Sequence, residues 1–495
     1  MTSRPIPNPN RRAVSDGVWT MMERVLSQVS QLVIFITAAR ILSPAEFGVF
    51  ALTSACAILL LRFAEVGWAP YIMSWSGTAR VPRQILYIAI LFGLGAAVIG
   101  GLAGLVYWMI APDSSVGLLI MLFAFWVLLA TTSSAQKGVM IWQHKLRASA
   151  VCEISGELAG LAVALAALFS GFGVLSLVFG RIALQTVHLK LSFFFTRLPP
   201  RRGMSAAQLR DLRDYSIPLF SSRMTFNFRL YAATFIIGGF LGAAAVGYYR
   251  AAERLVGALT EVVAVPSQVL AWSLFRQARD SGGGGLAGFQ KQADTYFHVL
   301  FLTALPIFIW TCVFAGELIT GLLGAEWLPA VPVVIILALA RALSLPTFAS
   351  EPILSLAGEI RRMPKVSVLF LAMTIVLNLI ASPFGMIAVA WAQVAGSVIV
   401  TVVMLWLTRK YGAVAWQGFF RHSRFIIVPL VLATAALEVL QGLTLFEGLP
   451  DMLRVLAVSV PTVVIYGAAL YLFDPNLRQA AKAYFKGNAQ DQEAS

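Results

Sequence analysis

The chain has 495 residues, 59% of them hydrophobic and only 12% charged, with a mean hydropathy of +0.81. Soluble globular chains carry about a quarter charged residues, so this composition excludes an ordinary cytosolic enzyme, and it equally excludes a disordered chain or a small disulfide scaffold. The 37 Lys and Arg against 23 Asp and Glu give +14 and a pI near 10.0. These cations stand in short clusters between apolar runs, which indicates a polytopic membrane protein and argues against a nucleic-acid partner.

The N-terminal stretch, Met1 to Arg12, is polar, Pro/Asn-rich and basic, and it lacks the apolar run and cleavage site of a signal peptide. Residues 1–16 are therefore expected to form a cytoplasmic tail. A spanning helix needs about 20 mostly apolar residues. Fourteen such stretches are predicted, at 17–41, 45–66, 83–110, 116–136, 148–169, 172–195, 215–240, 242–265, 291–315, 329–355, 362–382, 384–410, 421–442 and 452–473. The expected fold is an all-α polytopic membrane protein. The basic Pro-Pro-Arg-Arg-Gly segment at 199–214 is the longest inner connection, and it separates a six-helix bundle at 17–198 from a second at 215–411. A further helix pair follows at 412–474, then a cytoplasmic tail at 475–495. The glycine run from Ser281 to Gly285 lacks the Gly-Lys-Ser/Thr of a phosphate-binding loop and reads as a linker.

Orientation follows from the cations, because cytoplasmic loops retain them. With the N-terminus inside, the inner segments hold Arg80 and Arg83, then Lys137, Lys145 and Arg147, then Arg197, Arg201, Arg202, Arg210 and Arg213, and so on to Arg478. The outer segments hold only Arg40 and Arg454. Both termini are thus expected in the cytoplasm, and the outer loops are all short.

The two halves show traces of a repeat. Leu42, Gly48 and Phe50 after the first span match Leu241, Gly247 and Tyr249 after the seventh in spacing and position. Phe172-Gly173-Val-Leu-Ser-Leu matches Phe384-Gly385-Met-Ile-Ala-Val in the same way. Parallel six-helix halves of this kind meet around a central cavity in transporters, where alternating access places the substrate.

Arg24, Arg62, Arg181, Arg223, Arg229, Arg250, Arg254 and Arg341 fall inside predicted spans. An arginine facing lipid at mid-bilayer costs about 2.5–3.5 kcal/mol on insertion scales. Arg62 and Arg24 can snorkel to the inner surface. The deeper ones would together cost on the order of 15–21 kcal/mol, beyond the roughly 5–15 kcal/mol that stabilises a fold. They are expected to face the protein interior or a wet cavity.

Spacing agrees with that expectation. Arg250, Arg254, Gly257 and Glu261 share one helical face, with Glu253 a turn from Arg250. Thr20, Arg24, Ser27, Gln28 and Gln31 make a polar stripe on the first span, flanked by Glu23. Arg62 and Glu65 lie on the second span, and Arg223, Asn227 and Arg229 on the seventh. These four spans are repeat-equivalent pairs, so their charges are expected to meet near the pseudo-twofold axis. The arginines Arg24, Arg62, Arg223, Arg229, Arg250 and Arg254 outnumber the acids Glu23, Glu65, Glu253 and Glu261, and a surplus buried cation favours an anionic ligand. The alternative is that these charges only pair between helices. The fifth span invites that reading, since Glu153 and Glu157 could neutralise Arg181 and Lys190 of the sixth.

His144, His188, His298 and His422 are scattered without ligand spacing and read as ordinary structural residues. Cys56, Cys152 and Cys312 sit singly in apolar runs and read as small core residues. No metal, nucleotide-hydrolysis or glycosyl-transfer motif is present, so no catalytic residue, metal or cofactor is expected.

Gly17-x-Trp19-x4-Arg24, leading to Ala39-Arg40-x-Leu42-x-Pro44-x2-Phe47-Gly48, resembles the opening of the Wzx-type polysaccharide flippases of the multidrug/oligosaccharidyl-lipid/polysaccharide (MOP) exporter superfamily. Glu326-Trp327-Leu328-Pro329-Ala330-Val331-Pro332, followed by Leu337-Ala338, resembles that family's loop into its tenth helix, and Gly358 before Arg361 and Arg362 also fits. The resemblance covers essentially the whole chain. It implies a V-shaped pair of bundles in the bacterial inner membrane and export of undecaprenyl-pyrophosphate-linked oligosaccharides for exopolysaccharide, O-antigen or capsule assembly. It also implies cationic cavity residues that hold the lipid's phosphates, best matched by Arg24 and by the arginines of the seventh and eighth spans.

The function expected is therefore that of a flippase rather than an enzyme, with polyprenyl-pyrophosphate oligosaccharide, membrane lipid and polysaccharide polymerase or copolymerase machinery as partners. Coupling to the membrane potential or to an ion stays open. Two rival readings remain: an antiporter of drugs or organic cations from the same superfamily, which needs an acidic cavity, and a scaffold of a polysaccharide synthesis complex, which needs no cavity arginine.

Overall fold

A computed structural model describes residues 9–111, 115–280, 285–442, 448–475 and 478. Among these residues there are helices and short 3-10 turns but no strand. The helices are α1 (Pro9–Ile41), α2 (Pro44–Glu65), α3 (Trp68–Ser74), α4 (Arg80–Ile110), α5 (Val116–Trp142), α6 (Leu146–Phe169), α7 (Leu175–Thr196) and α8 (Ala206–Asp280). They continue with α9 (Gly285–Val313), α10 (Ala315–Leu322), α11 (Val331–Ser344), α12 (Ser350–Leu356), α13 (Met363–Ala381), α14 (Met386–Gly412), α15 (Trp416–Gln441) and α16 (Asp451–Phe473). The tails at 1–8 and 479–495, and most of the Ser281 to Gly285 linker, lie outside the described residues.

Eleven described segments are long and apolar enough to cross a membrane. The predicted fourteen are reached with three more: α7, made less apolar by Arg181, His188 and Lys190; the apolar stretch Phe425–Gln441 of α15; and a second span in α8. The last arises because Gly242 (φ 81°, ψ −179°) breaks α8 into two arms, at the predicted border between the seventh and eighth spans. Only glycine adopts that backbone without strain. The second arm runs to Asp280, roughly 22 Å beyond the predicted end at 265.

The tenth span is not one helix. It is a 3-10 turn (Ala325–Ala330), α11, a second 3-10 turn (Leu345–Ala349) and α12. Pro329, Pro346 and Pro352 lack the N–H that a continuous helix requires, so the sequence that reads as one apolar run is chopped into pieces. At the start of α2, Ser43 and Glu46 form a capping box. The Glu46 amide donates to Ser43 Oγ at 3.3 Å, and the Ser43 amide donates to Glu46 Oε2 at 2.9 Å.

The chain forms two compact units, Met1–Gly247 and Tyr248–Ser495. In the first, α4 packs along α5, α6 along α7, α5 against α2 and α7, and α1 along α6. Leu119, Phe123, Trp126 and Val127 of α5 fill its centre against Ala57, Leu61 and Ala64 of α2. The first arm of α8 joins this unit through Phe220 on Phe63 (ring centroids 5.5 Å) and Tyr215 on Tyr71 (5.3 Å). In the second unit α11 packs against α9 and α14, and α13 against α14. Phe275, Tyr296, Phe297 and Phe308 form its core with Trp416 of α15. The added pair α15 and α16 docks on α9 around Leu430, Ala433, Tyr466 and Leu470.

The surface is apolar where a soluble protein would be polar. Val98, Ile99, Leu102, Val106 and Met109 are exposed along α4, as are Leu456, Val460, Val463 and Val464 along α16. Lipid satisfies such faces, and the helices satisfy their own backbone groups.

Candidate functional site

Small residues bring α6 and α7 together. A Cβ on Gly156 would come within 2.9 Å of the Leu184 carbonyl oxygen and 3.5 Å of His188 Cβ, and one on Gly160 within 2.9 Å of the Gly180 carbonyl oxygen. This close approach is the membrane form of helix packing, in which glycine lets backbones touch. It sets Glu153 of α6 beside His188 of α7, whose Nε2 stands 3.6 Å from Glu153 Oε1.

Lys137 enters the same site from α5. Sequence reading places it in an inner loop, but α5 continues to Trp142 and holds Lys137 within the bundle. Its Nζ donates to Glu153 Oε1 at 2.6 Å and lies 3.5 Å from Glu23 Oε1 of α1. Ser27 of α1 donates to Glu157 Oε1 at 2.6 Å, and Gln31 Nε2 donates to Ser27 Oγ at 3.1 Å. Thus Glu153 and Glu157, which spacing points at Arg181 and Lys190, meet Lys137, His188 and Ser27. Arg181 lies among aromatic rings, with its guanidinium carbon 5.2 Å from the ring centre of Phe50, 5.5 Å from Trp126 and 5.6 Å from Phe123. Each such cation–π contact contributes about 0.5–2 kcal/mol, which offsets part of the cost of a charge inside the bundle.

The other expected site residues of this unit lie on α1, α2 and α8. Arg24 and Gln28 are exposed on α1. Arg62 donates to Glu65, and Glu65 is buried. Asn227 is buried and donates to the backbone carbonyl of Arg223 at 2.8 Å, while Arg229 is exposed and lies over the Phe226 ring.

In the second unit Arg250 forms an ion pair with Glu253 one turn along α8. Arg254 lies in the fields of Glu261 and Arg250. Sequence reading counts Arg341 as an intramembrane cation but leaves it out of the candidate site. In the fold, Arg341 of α11 acts together with Arg250 and Glu253 on the Tyr249 hydroxyl, which also engages the Gln393 side chain. No sequence spacing links 341 to 250, since only the packing of the helices brings them into reach. His188 and Lys137 are missed for the same reason, although the polar run Thr131 to Lys137 at the end of an apolar stretch is a signal that could have drawn notice. Among the described residues no group of His, Cys, Asp or Glu side chains is placed to hold a metal ion.

A family described as polysaccharide biosynthesis protein matches residues 37–332, more than half of the chain. The chain belongs to that family. It is similar to the succinoglycan biosynthesis transport protein ExoT of Rhizobium meliloti (strain 1021), with 22% identity over 451 residues covering 86% of each chain. Its fold is similar to that of the Lipid II flippase MurJ in an inward closed conformation, with a TM-score of 0.71 at 12% identity over 94% of this chain and 99% of that one. It is also similar to a multidrug resistance MATE family transporter of the MOP superfamily in its inward-facing conformation, with a TM-score of 0.55 at 14% identity over 78% and 95% of the two chains. The fold is thus the MOP fold, and this member of the polysaccharide biosynthesis family is a multi-pass membrane protein. The relatives named here are transport proteins rather than enzymes.

Proposed function

We propose that the chain is a flippase that moves undecaprenyl-pyrophosphate-linked oligosaccharide repeat units outward across the bacterial inner membrane by alternating access. Its product would feed exopolysaccharide, O-antigen or capsule assembly, with a polymerase machinery as the consuming partner and both termini in the cytoplasm. Family membership supports a role in polysaccharide biosynthesis, and the relatives named as transport protein and lipid flippase support translocation.

The observation that carries the reading is the charge on the second arm of α8 and on α11. Arg250, Arg254 and Arg341 gather three guanidinium groups within apolar helices, where Arg250 pairs with Glu253 and Arg254 lies in the field of Glu261. A pyrophosphate presents several anionic oxygens that guanidinium groups bind through charge-assisted hydrogen bonds. The first unit's Arg24, Arg62, Arg223 and Arg229 are proposed as phosphate contacts in their own right. Glu23, Gln28, Gln31, Glu65, Asn227, Glu253 and Glu261 are proposed to hold these cations in place. Outward movement of an anion is also favoured by a negative interior, by about 2.3 kcal/mol per charge per 100 mV.

The test is transport by the purified protein in liposomes. A fluorescent polyprenyl-pyrophosphate oligosaccharide should become accessible to an impermeant quencher on the far leaflet, and R250A/R254A should lose most of that rate. Uptake of organic cations without flipping of the lipid would overturn the reading.

A further inference from the structure

His188 is 2% exposed, and neither ring nitrogen has a hydrogen-bond partner among the described residues. A buried polar group in that condition costs free energy unless something binds it. The nearest charged atom is Glu153 Oε1, which is already shared with Lys137. The charged groups that act on His188 are Glu153 of α6 and Lys137 of α5. Glu23 of α1 and Glu157 of α6 adjoin these in turn, with Arg24 beside Glu23 on the exposed side of α1. Lys190, two residues along α7, is exposed. Three carboxylates against the ammonium of Lys137 and the more distant Arg24 leave a surplus of negative charge inside the bundle, where a cation is attracted.

The side chains present suit a proton better than a metal ion. The ammonium of Lys137 already occupies the space between Glu153 and Glu23 and would repel a metal, and no side-chain group here has the arrangement a metal requires. An unpartnered imidazole, by contrast, accepts a proton at a free nitrogen and becomes a donor. The site lies about 10 Å along α6 from its first residue, Leu146, at the end of the bundle that carries Arg80, Arg83, Arg147 and Arg197.

We propose that His188, Glu153, Lys137 and Glu23 form an intramembrane proton-binding site in which protonation of His188 moves Lys137 from Glu153 towards Glu23. The proton goes to Nε2 or Nδ1 of the ring, no other bond forms or breaks, and the imidazolium then competes with Lys137 for the shared Glu153 oxygen. Lys137 has a second carboxylate waiting at 3.5 Å, so the exchange ties α5 to α1 when the proton is on and to α6 when it is off. Resting on the flippase reading above, the proton is the coupling ion of transport.

Two measurements test this separately. In nanodiscs, the full chain carrying H144Q, H298Q and H422Q and labelled on histidine shows His188 alone by nuclear magnetic resonance. Its signal is expected to titrate, with the midpoint lower in E153Q and higher in K137M. A His188 signal that does not titrate, or that moves the same way in both variants, overturns the site whether or not the protein transports anything. In liposomes, the rate of oligosaccharide-lipid flipping is expected to rise at least fivefold under a pH gradient. H188Q is expected to lose that response while retaining exchange at equal pH. A response to ΔpH that survives H188Q, or a rate that follows a sodium gradient at equal pH and ignores ΔpH, overturns the coupling. Absence of flipping in the unaltered protein would overturn the flippase reading and leave the titration to judge the site.

Discussion

Gly160 and Gly180 meet backbone to backbone across α6 and α7: a Cβ on either would stand 2.9 Å from the other's carbonyl oxygen. The contact sets the distance between the two helices and, about two turns away, the approach of Glu153 to His188. G160L is expected to destabilise the protein by about 1–3 kcal/mol or to prevent its accumulation, because the helices must move apart to admit the side chain. G101A, on α4 where an added Cβ meets nothing within 4 Å, should leave thermal stability in detergent unchanged. Equal melting temperatures for the two variants would contradict the packing argument.

Arg181 provides the case of a structural arginine. Its place among Phe50, Phe123 and Trp126 is occupied by the protein's own groups. R181A is expected to lower stability by about 1–3 kcal/mol through lost cation–π contacts and a cavity, yet to leave oligosaccharide-lipid binding intact in the protein that survives. Thermal unfolding read alongside a binding assay separates the two effects.

Arg254 should behave in the opposite way. Glu253 is committed to Arg250, so removing Arg254 leaves the Arg250–Glu253 pair in place. R254A is expected to accumulate normally and to lose about tenfold to a hundredfold in export, the equivalent of one charge-assisted hydrogen bond at about 1.5–3 kcal/mol. R254K should keep part of the activity, because a point charge still attracts phosphate. R254A/E253Q should not recover protein level or export. Recovery would mean that the arginine stripe is structural.

The orientation is also open to measurement. Arg201 donates its amide to the Arg83 carbonyl at 3.0 Å, and Gln84 Nε2 donates to the Gly203 carbonyl at 2.6 Å, so the basic connection folds onto the basic start of α4. Reporter fusions after Arg202 should report cytoplasm, and fusions in the turn around Gly324 should report the periplasm. A periplasmic signal after Arg202 would reverse the topology.

Length and hydropathy alone were enough to determine that the chain is helical, membrane-spanning and built of about fourteen spans, because a bilayer admits so few ways to satisfy a backbone. Local chemistry also carried through: Arg62 pairs with Glu65, and Arg250 with Glu253, because residues one helical turn apart are neighbours wherever the helix lies. Partners on different helices followed no such rule. Sequence spacing offered Arg181 and Lys190 to Glu153 and Glu157, and the fold supplied Lys137, His188 and Ser27. Which helix faces which, and at what rotation, depends on the glycines that let α6 and α7 touch and on how far α5 continues beyond its apolar stretch. Those are properties of the packed bundle, and a charge buried in it takes whichever partner the packing brings within about 4 Å.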